Sequence, residues 1–88
     1  MNAITVHTTT ACQMCRATTR KLDKAGIQYH TIDVSQKEFA ELADAIRERA
    51  AEKNEAPAMP YVTVYDEHNT LINDWFGFRP DLINELVK

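Results

Sequence analysis

Cys12 and Cys15 are the only cysteines in the chain, and they stand two residues apart in "ACQMCR", directly behind the β-branched run "ITVHTTT". Thiols at positions i and i+3 of a helix share a face, with Cα atoms about 5 Å apart. That separation lies inside the roughly 4.4–6.8 Å that a disulfide tolerates, so such a pair opens and closes with little backbone movement. At a helix start, Cys12 faces unpaired N–H groups and the positive end of the helix dipole, which favour thiolate over thiol. A free thiol titrates near 8.5, whereas CxxC thiols at helix starts fall to roughly 3.5–7.5. Cys12 is therefore the expected attacking sulfur. Cys15, one turn inward and shielded, is expected to attack the resulting mixed disulfide and release the partner. The redox group is then the Cys12–Cys15 disulfide itself, and no bound cofactor is expected. The competing chemistries are an inert pair and a half-built metal site. Zinc and iron–sulfur sites usually take four ligands, and CxxC supplies two. His7, His30 and His68 have no paired spacing, so no metal ligands are assigned. A metal or iron–sulfur binding module stands as the alternative from another functional class.

Composition bounds what surrounds the pair. Eighty-eight residues make one domain, 1–88, with a core just large enough to fold alone. The formal net charge is −3 and there is no run of basic residues, so a nucleic-acid partner is not expected. No apolar stretch approaches the roughly 18 residues of a membrane span, and "MNAITVH" lacks the regions of a signal peptide. A cytoplasmic location is expected. In reducing cytosol, two cysteines serve catalysis or metal binding more readily than a structural staple.

The elements that must position the pair follow from patterning. Ala3 to His7 reads as a short buried strand. Met14, Ala17, Thr18, Leu22 and Ala25 recur at helical spacing from Gln13 to Ala25, and Gly26 is placed to end that helix with φ > 0. Ile27 to Val34 reads as a second strand, parallel to the first across a βαβ crossover. "SQKE", from Ser35, has the form of a capping box. Behind it Phe39, Leu42, Ala43, Ile46 and Ala50 form an apolar stripe on a helix running to about Lys53. Its other face, Glu41, Asp44, Glu48, Arg49 and Glu52, reads as solvated. "NEAPAMP" breaks the helix through its prolines. "YVTVY" and "LINDWF" then form an antiparallel hairpin around "DEHNT". "RPDLINELVK" closes the chain as a short helix with Pro80 in its first turn and Leu82, Ile83, Leu86 and Val87 available for burial.

The order βαβαββα, a parallel pair followed by a hairpin, resembles the thioredoxin fold, an α/β architecture with a four-stranded mixed sheet flanked by three helices. That fold carries its CxxC after the first strand. The resemblance implies that Pro60, directly before "YVTVY", is a cis-proline facing the CxxC, with Pro57 the alternative. The Met59 backbone would then pair with an extended substrate segment.

A sharper resemblance lies in "WFGFRPDLI", Trp75 to Ile83, together with "TACQMCRATTRKLDKAGIQYHTIDV". The chain resembles the NrdH-redoxin branch of the glutaredoxin-like proteins over nearly its whole length. That branch is a family of small dithiol-disulfide oxidoreductases and electron carriers. The resemblance implies thioredoxin reductase with NADPH as donor and a class Ib ribonucleotide reductase as acceptor. It implies a substrate groove of Thr10, Ala11, Gln13, Met14, Met59, Pro60, Phe76 and Gly77, supported by His7, Trp75, Arg79 and Asp81. Arg79 and Asp81 are expected to tie the last helix to the loop before the second or third strand. No membrane partner is expected, and the carrier is expected to act as a monomer.

A glutathione-dependent dithiol glutaredoxin is the alternative within the redox class. Against it, the position of the glutathione-binding lysine reads Thr9, and the Thr-Val-Pro segment reads Ala58, Met59, Pro60. Arg16, one turn into the helix and expected to point along it, is the nearest cation in sequence. Where the branch usually has tyrosine and lysine-proline, this chain has His7 and Thr9-Thr10. Either His7 supplies some of the missing positive charge or it packs as a neutral ring. Phe76, in a serine's place, is expected to make the rim more apolar, with Phe78 and Met59.

Overall fold

The structure, a computed structural model, describes residues 2–87. β1 (Ala3–Thr8) drops Ile4 and Val6 onto one face of the sheet and turns His7 to the other. It pairs in parallel with β2 (His30–Asp33) and antiparallel with β3 (Tyr61–Tyr65), which pairs antiparallel with β4 (Leu71–Phe76). The order is β2-β1-β3-β4, a mixed sheet of the kind that the resemblance to the thioredoxin fold implies.

α1 (Gln13–Lys24) buries Cys15, Thr18 and Leu22, and α3 (Pro80–Glu85) buries Ile83 beside it. Both cover the sheet face that carries Ile4, Val6, Val62, Val64 and Trp75. α2 (Ala40–Glu52) packs on the other face, where Ile46 and Ala50 meet Val34, Tyr61 and Phe76. Leu42 and Ala43 on this helix, and Phe39 directly ahead of it, join that second core as the spacing predicts. Burying each large apolar side chain contributes about 1.5–3 kcal/mol, so the two layers hold the sheet from both sides. Among the described residues no helix is long and apolar enough to cross a membrane.

Four local features differ from expectation. β2 begins at His30 rather than Ile27, because α1 ends in a Schellman motif. Gly26 takes φ 71°, its N–H donates to Asp23 O, and the Ile27 N–H donates to Leu22 O. Ile27 then packs on the first core instead of joining the sheet. Secondly, α2 is ended by Asn54, at φ 60°, in a second such motif that sends the Glu55 N–H to Ala50 O. The prolines follow the break and do not cause it. Thirdly, the capping box does not form. Asp33 accepts both the Ser35 amide and the Ser35 hydroxyl, and an ionised acceptor outcompetes a helix cap. Residues Lys37–Phe39 make a 3₁₀ turn instead, and α2 starts at Ala40. At the other end of the chain α3 stops at Glu85 and Val87 is exposed. Lys88, included in the predicted last helix, lies outside the described residues.

Candidate active site

Cys12 is the N-cap residue of α1, with extended backbone, and its Sγ accepts the Cys15 N–H at 3.1 Å. The two are joined as a disulfide with Cα atoms 5.2 Å apart, the separation that i, i+3 spacing dictates. Cys12 is half-buried, whereas Cys15 is 4% exposed. One sulfur is therefore open to solvent and the other faces the core. In the reduced pair, an amide donating to Cys12 Sγ favours the anion there. No acidic residue stands in the first turn of α1 to oppose it.

The strand register brings three loops to this end of the sheet. His7 pairs with Tyr61 and Tyr61 with Phe76, so the end of β1, the start of β3 and the end of β4 lie side by side. Just beyond them the Gly77 N–H donates to Pro60 O at 2.8 Å. The Met59–Pro60 peptide is cis. Thr10 Oγ1 shares a 3.1 Å hydrogen bond with Ser35 Oγ, which joins the loop before Cys12 to the one after β2. A hollow of about 260 Å³ opens beside the pair, lined by Thr8, Thr9, Ala11, Cys12, Cys15, Arg16 and Thr19. Arg16 borders it rather than pointing away along the helix. Thr8, Thr9, Arg16 and Thr19 were not among the expected site residues. Arg16 and Thr19 follow Cys12 at i+4 and i+7, so helical periodicity alone would have found them.

Other expected site residues fall out as follows. Gln13 and Met14 are exposed on the first turn of α1, and Thr10 and Ala11 are exposed ahead of it. Met59 is half-buried against the second core, while Gly77 is buried at φ 81°. Phe76 is not a rim residue. It is 6% exposed and stacks on Tyr61 with ring centroids 4.5 Å apart, because strand alternation turns it under α2. Phe78 keeps its expected exposure. Trp75 is fully buried in the first core.

His7 is also buried. Its Nδ1 lies 2.8 Å from Tyr61 O, and a carbonyl only accepts, so Nδ1 carries the proton. Burial lowers its pKa, against a smaller opposing effect of that hydrogen bond. His7 is thus a packed, neutral ring and adds no positive charge beside Cys12. Arg79 and Asp81 bind one another through two hydrogen bonds of 3.2 and 3.0 Å, both exposed. The expected tie to a distant loop is replaced by this local pair. Of the loop before β3, Glu55 acts on Arg79 through charge alone.

Behind the site, α2 and β4 are clasped by charge. Asp74 Oδ2 accepts from Arg49 Nε at 2.7 Å and from the Tyr61 hydroxyl at 2.6 Å. Lys53 Nζ donates to Asp74 Oδ1 at 3.2 Å and to its backbone O at 2.6 Å. Burial alone would raise the Asp74 pKa, but donation from Arg49, Tyr61 and Lys53 together outweighs it and lowers the pKa to about 2. Arg49, expected on a solvated face, is therefore a structural partner. Among the described residues no group of three or more His, Cys, Asp or Glu is placed to hold a metal ion.

Ala11, next to Cys12, takes φ 58°, a region where an L-residue pays about 1–2 kcal/mol for its Cβ. Glycine lacks that clash but loses more freedom on folding. Ala11→Gly is expected to stabilise the oxidised protein by about 0.5–1 kcal/mol, the net of the two effects. Urea unfolding checks it, and a lower midpoint for the variant would show that Ala11 is not strained.

The profile of the Glutaredoxin family matches residues 4–69. The glutaredoxin-like protein NrdH of Escherichia coli is 32% identical over 83 residues, which span 94% of this chain and 86% of that protein. The structure of NrdH-redoxin from Escherichia coli, described as having a thioredoxin-like activity profile, superposes with a TM-score of 0.76 over 96% of this chain and 93% of the other, at 32% identity. A glutaredoxin from Archaeoglobus fulgidus, 15% identical, shares the fold with a TM-score of 0.72 over 100% of this chain and 88% of its own.

Proposed function

This chain belongs to the glutaredoxin family, in its NrdH-redoxin branch, and we propose that it carries electrons from thioredoxin reductase to a class Ib ribonucleotide reductase. It is a thiol-disulfide oxidoreductase, and the carrying observation is the Cys12–Cys15 pair with its outer sulfur accessible at the α1 N-terminus. The Cys12 thiolate attacks one sulfur of the acceptor disulfide, and the other leaves as a thiolate that takes up a proton. Cys15, once deprotonated, attacks Cys12 Sγ in the mixed disulfide, which releases the second acceptor sulfur as a thiol. Two electrons and two protons have then passed to the acceptor, and the Cys12–Cys15 disulfide has formed. NADPH, through thioredoxin reductase, returns two electrons and, with a solvent proton, two protons. This cycle places the protein in the reducing cytosol.

The donor assignment rests on two supports. One is the match to the NrdH proteins. The other is chemical: glutathione has two carboxylates and an ammonium group, which need convergent partners of both signs. Among the described residues that line the hollow, Arg16 is the charged one, and His7 is neutral. With NADPH and thioredoxin reductase, turnover is expected to exceed that with glutathione and glutathione reductase by roughly tenfold or more, a barrier difference of about 1.4 kcal/mol. NADPH absorbance follows both. Equal or faster turnover with glutathione would reassign the protein to the glutathione-dependent class.

A further inference from the structure

The geometry points to the exposed face of α1 as a docking surface for an acidic segment that flanks the acceptor's disulfide. Arg16, Arg20 and Lys24 follow one another at i, i+4 and i+8 on α1, with Lys21 beside them, so they form a stripe that leads away from Cys12. Among the described residues none of the four is in an ion pair. The one carboxylate on α1, Asp23, accepts the Tyr29 hydroxyl at 2.8 Å. The chain as a whole is acidic, at −3, so this helix is a cationic stripe on an anionic protein.

The stripe also has an apolar foothold. Phe78, from the loop between β4 and α3, closes a shallow hollow of about 290 Å³ with Ala17, Arg20, Lys21 and Lys24. Phe78 and Met14 are 36% and 43% exposed. A hollow walled by one ring and the stems of three cations fits an apolar side chain flanked by carboxylates. Position supplies the occupant. Whatever disulfide Cys12 attacks must lie at the first turn of α1, so residues on one side of it are within reach of this face. Complementary charge at such a surface acts mainly by raising the association rate, and salt screens it.

This inference rests on the redox function proposed above, and the test separates the two. Short peptides with one disulfide are made with glutamate, glutamine or lysine flanks. Their binding to the oxidised protein is read by fluorescence anisotropy. Their reduction by the reduced protein is read as a rate relative to bis(2-hydroxyethyl) disulfide. The glutamate peptide is expected to bind most tightly and to react roughly tenfold faster than the lysine peptide at low salt, with the gap collapsing at about 0.5 M salt. Arg20→Glu with Lys24→Glu leaves the stripe with no net charge and should abolish the order in both readouts. Lys37→Glu with Arg47→Glu, the same charge change on the α2 side, should leave the order intact. Charge-blind binding and rates, or a preference that moves equally with both double variants, would overturn the docking surface while leaving the redox role standing. Charge-ordered binding with no reduction of any disulfide would retain the surface and remove the redox role.

Discussion

A Cys12→Ser variant is expected to lose disulfide reduction down to the uncatalysed background, whereas Cys15→Ser completes the first attack and accumulates a mixed disulfide with its acceptor. Only Cys12 combines access with an anion-stabilising contact, the Cys15 N–H at 3.1 Å. Cys15, at 4% exposure, meets an incoming disulfide poorly, but it lies one helical turn from Cys12 and reaches a sulfur already bound there. Serine at 15 removes that second attack and leaves the first. Mass spectrometry of each variant mixed with an oxidised acceptor reads the adduct directly. In the reduced wild type, substoichiometric iodoacetamide should label Cys12 first. Preferential labelling of Cys15, or an adduct formed by Cys12→Ser, would exchange the two roles.

Asp74→Asn is expected to destabilise the protein by about 3 kcal/mol, because it breaks a buried ion network from its centre. The cost falls at the low end for such a break, since Arg49 is 37% exposed on its side chain and regains water. In a domain of this size that lowers Tm by roughly 15 °C. The pH dependence identifies the cause. Asp74 titrates at about 2 against an ordinary 3.8, so the unfolded chain binds this proton more readily than the folded one. The contribution of Asp74 is complete above about pH 4, declines as pH falls through about 2, and is gone below it. A shift of this size corresponds to about 2–3 kcal/mol. The stability gap between wild type and Asp74→Asn should narrow by that amount over this window, while the acid sensitivity of His7 is common to both and cancels. Urea unfolding at a series of pH values measures the gap. A gap constant from pH 6 to pH 2 would mean that Asp74 acts through packing and not through its charge.

These effects divide along a physical line. Cys12 and Cys15, the apolar stripe from Phe39 to Ala50, and the run "YVTVY" carried their structural meaning in local spacing. A redox pair needs only one helical turn, and a buried helix face or a central strand needs only its own period. The family was legible for the same reason, in two short blocks around the cysteines and "GFRPD". What escaped depends on residues far apart in sequence meeting at short range. Arg49 reads as one more charge on a solvated face until β4 brings Asp74 beneath it, 25 residues away in sequence. Phe76 reads as a rim residue until the sheet's alternation turns it onto Tyr61. His7 becomes a neutral packed ring only where the fold buries it, its Nδ1–H donating to the Tyr61 carbonyl. The ends of α1 and α2 show the same division on a smaller scale. Gly26 was legible because glycine is the commonest left-handed residue, but Asn54 and the Asp33–Ser35 contact depended on which of several local hydrogen bonds prevailed. By itself the sequence determined the chemistry at Cys12 and Cys15 and the order of the elements, since both arise from short-range spacing. The tertiary structure alone decided which charges are buried partners and which, along α1, stand outside any ion pair among the described residues, because pairing depends on the distance between elements and not on their order.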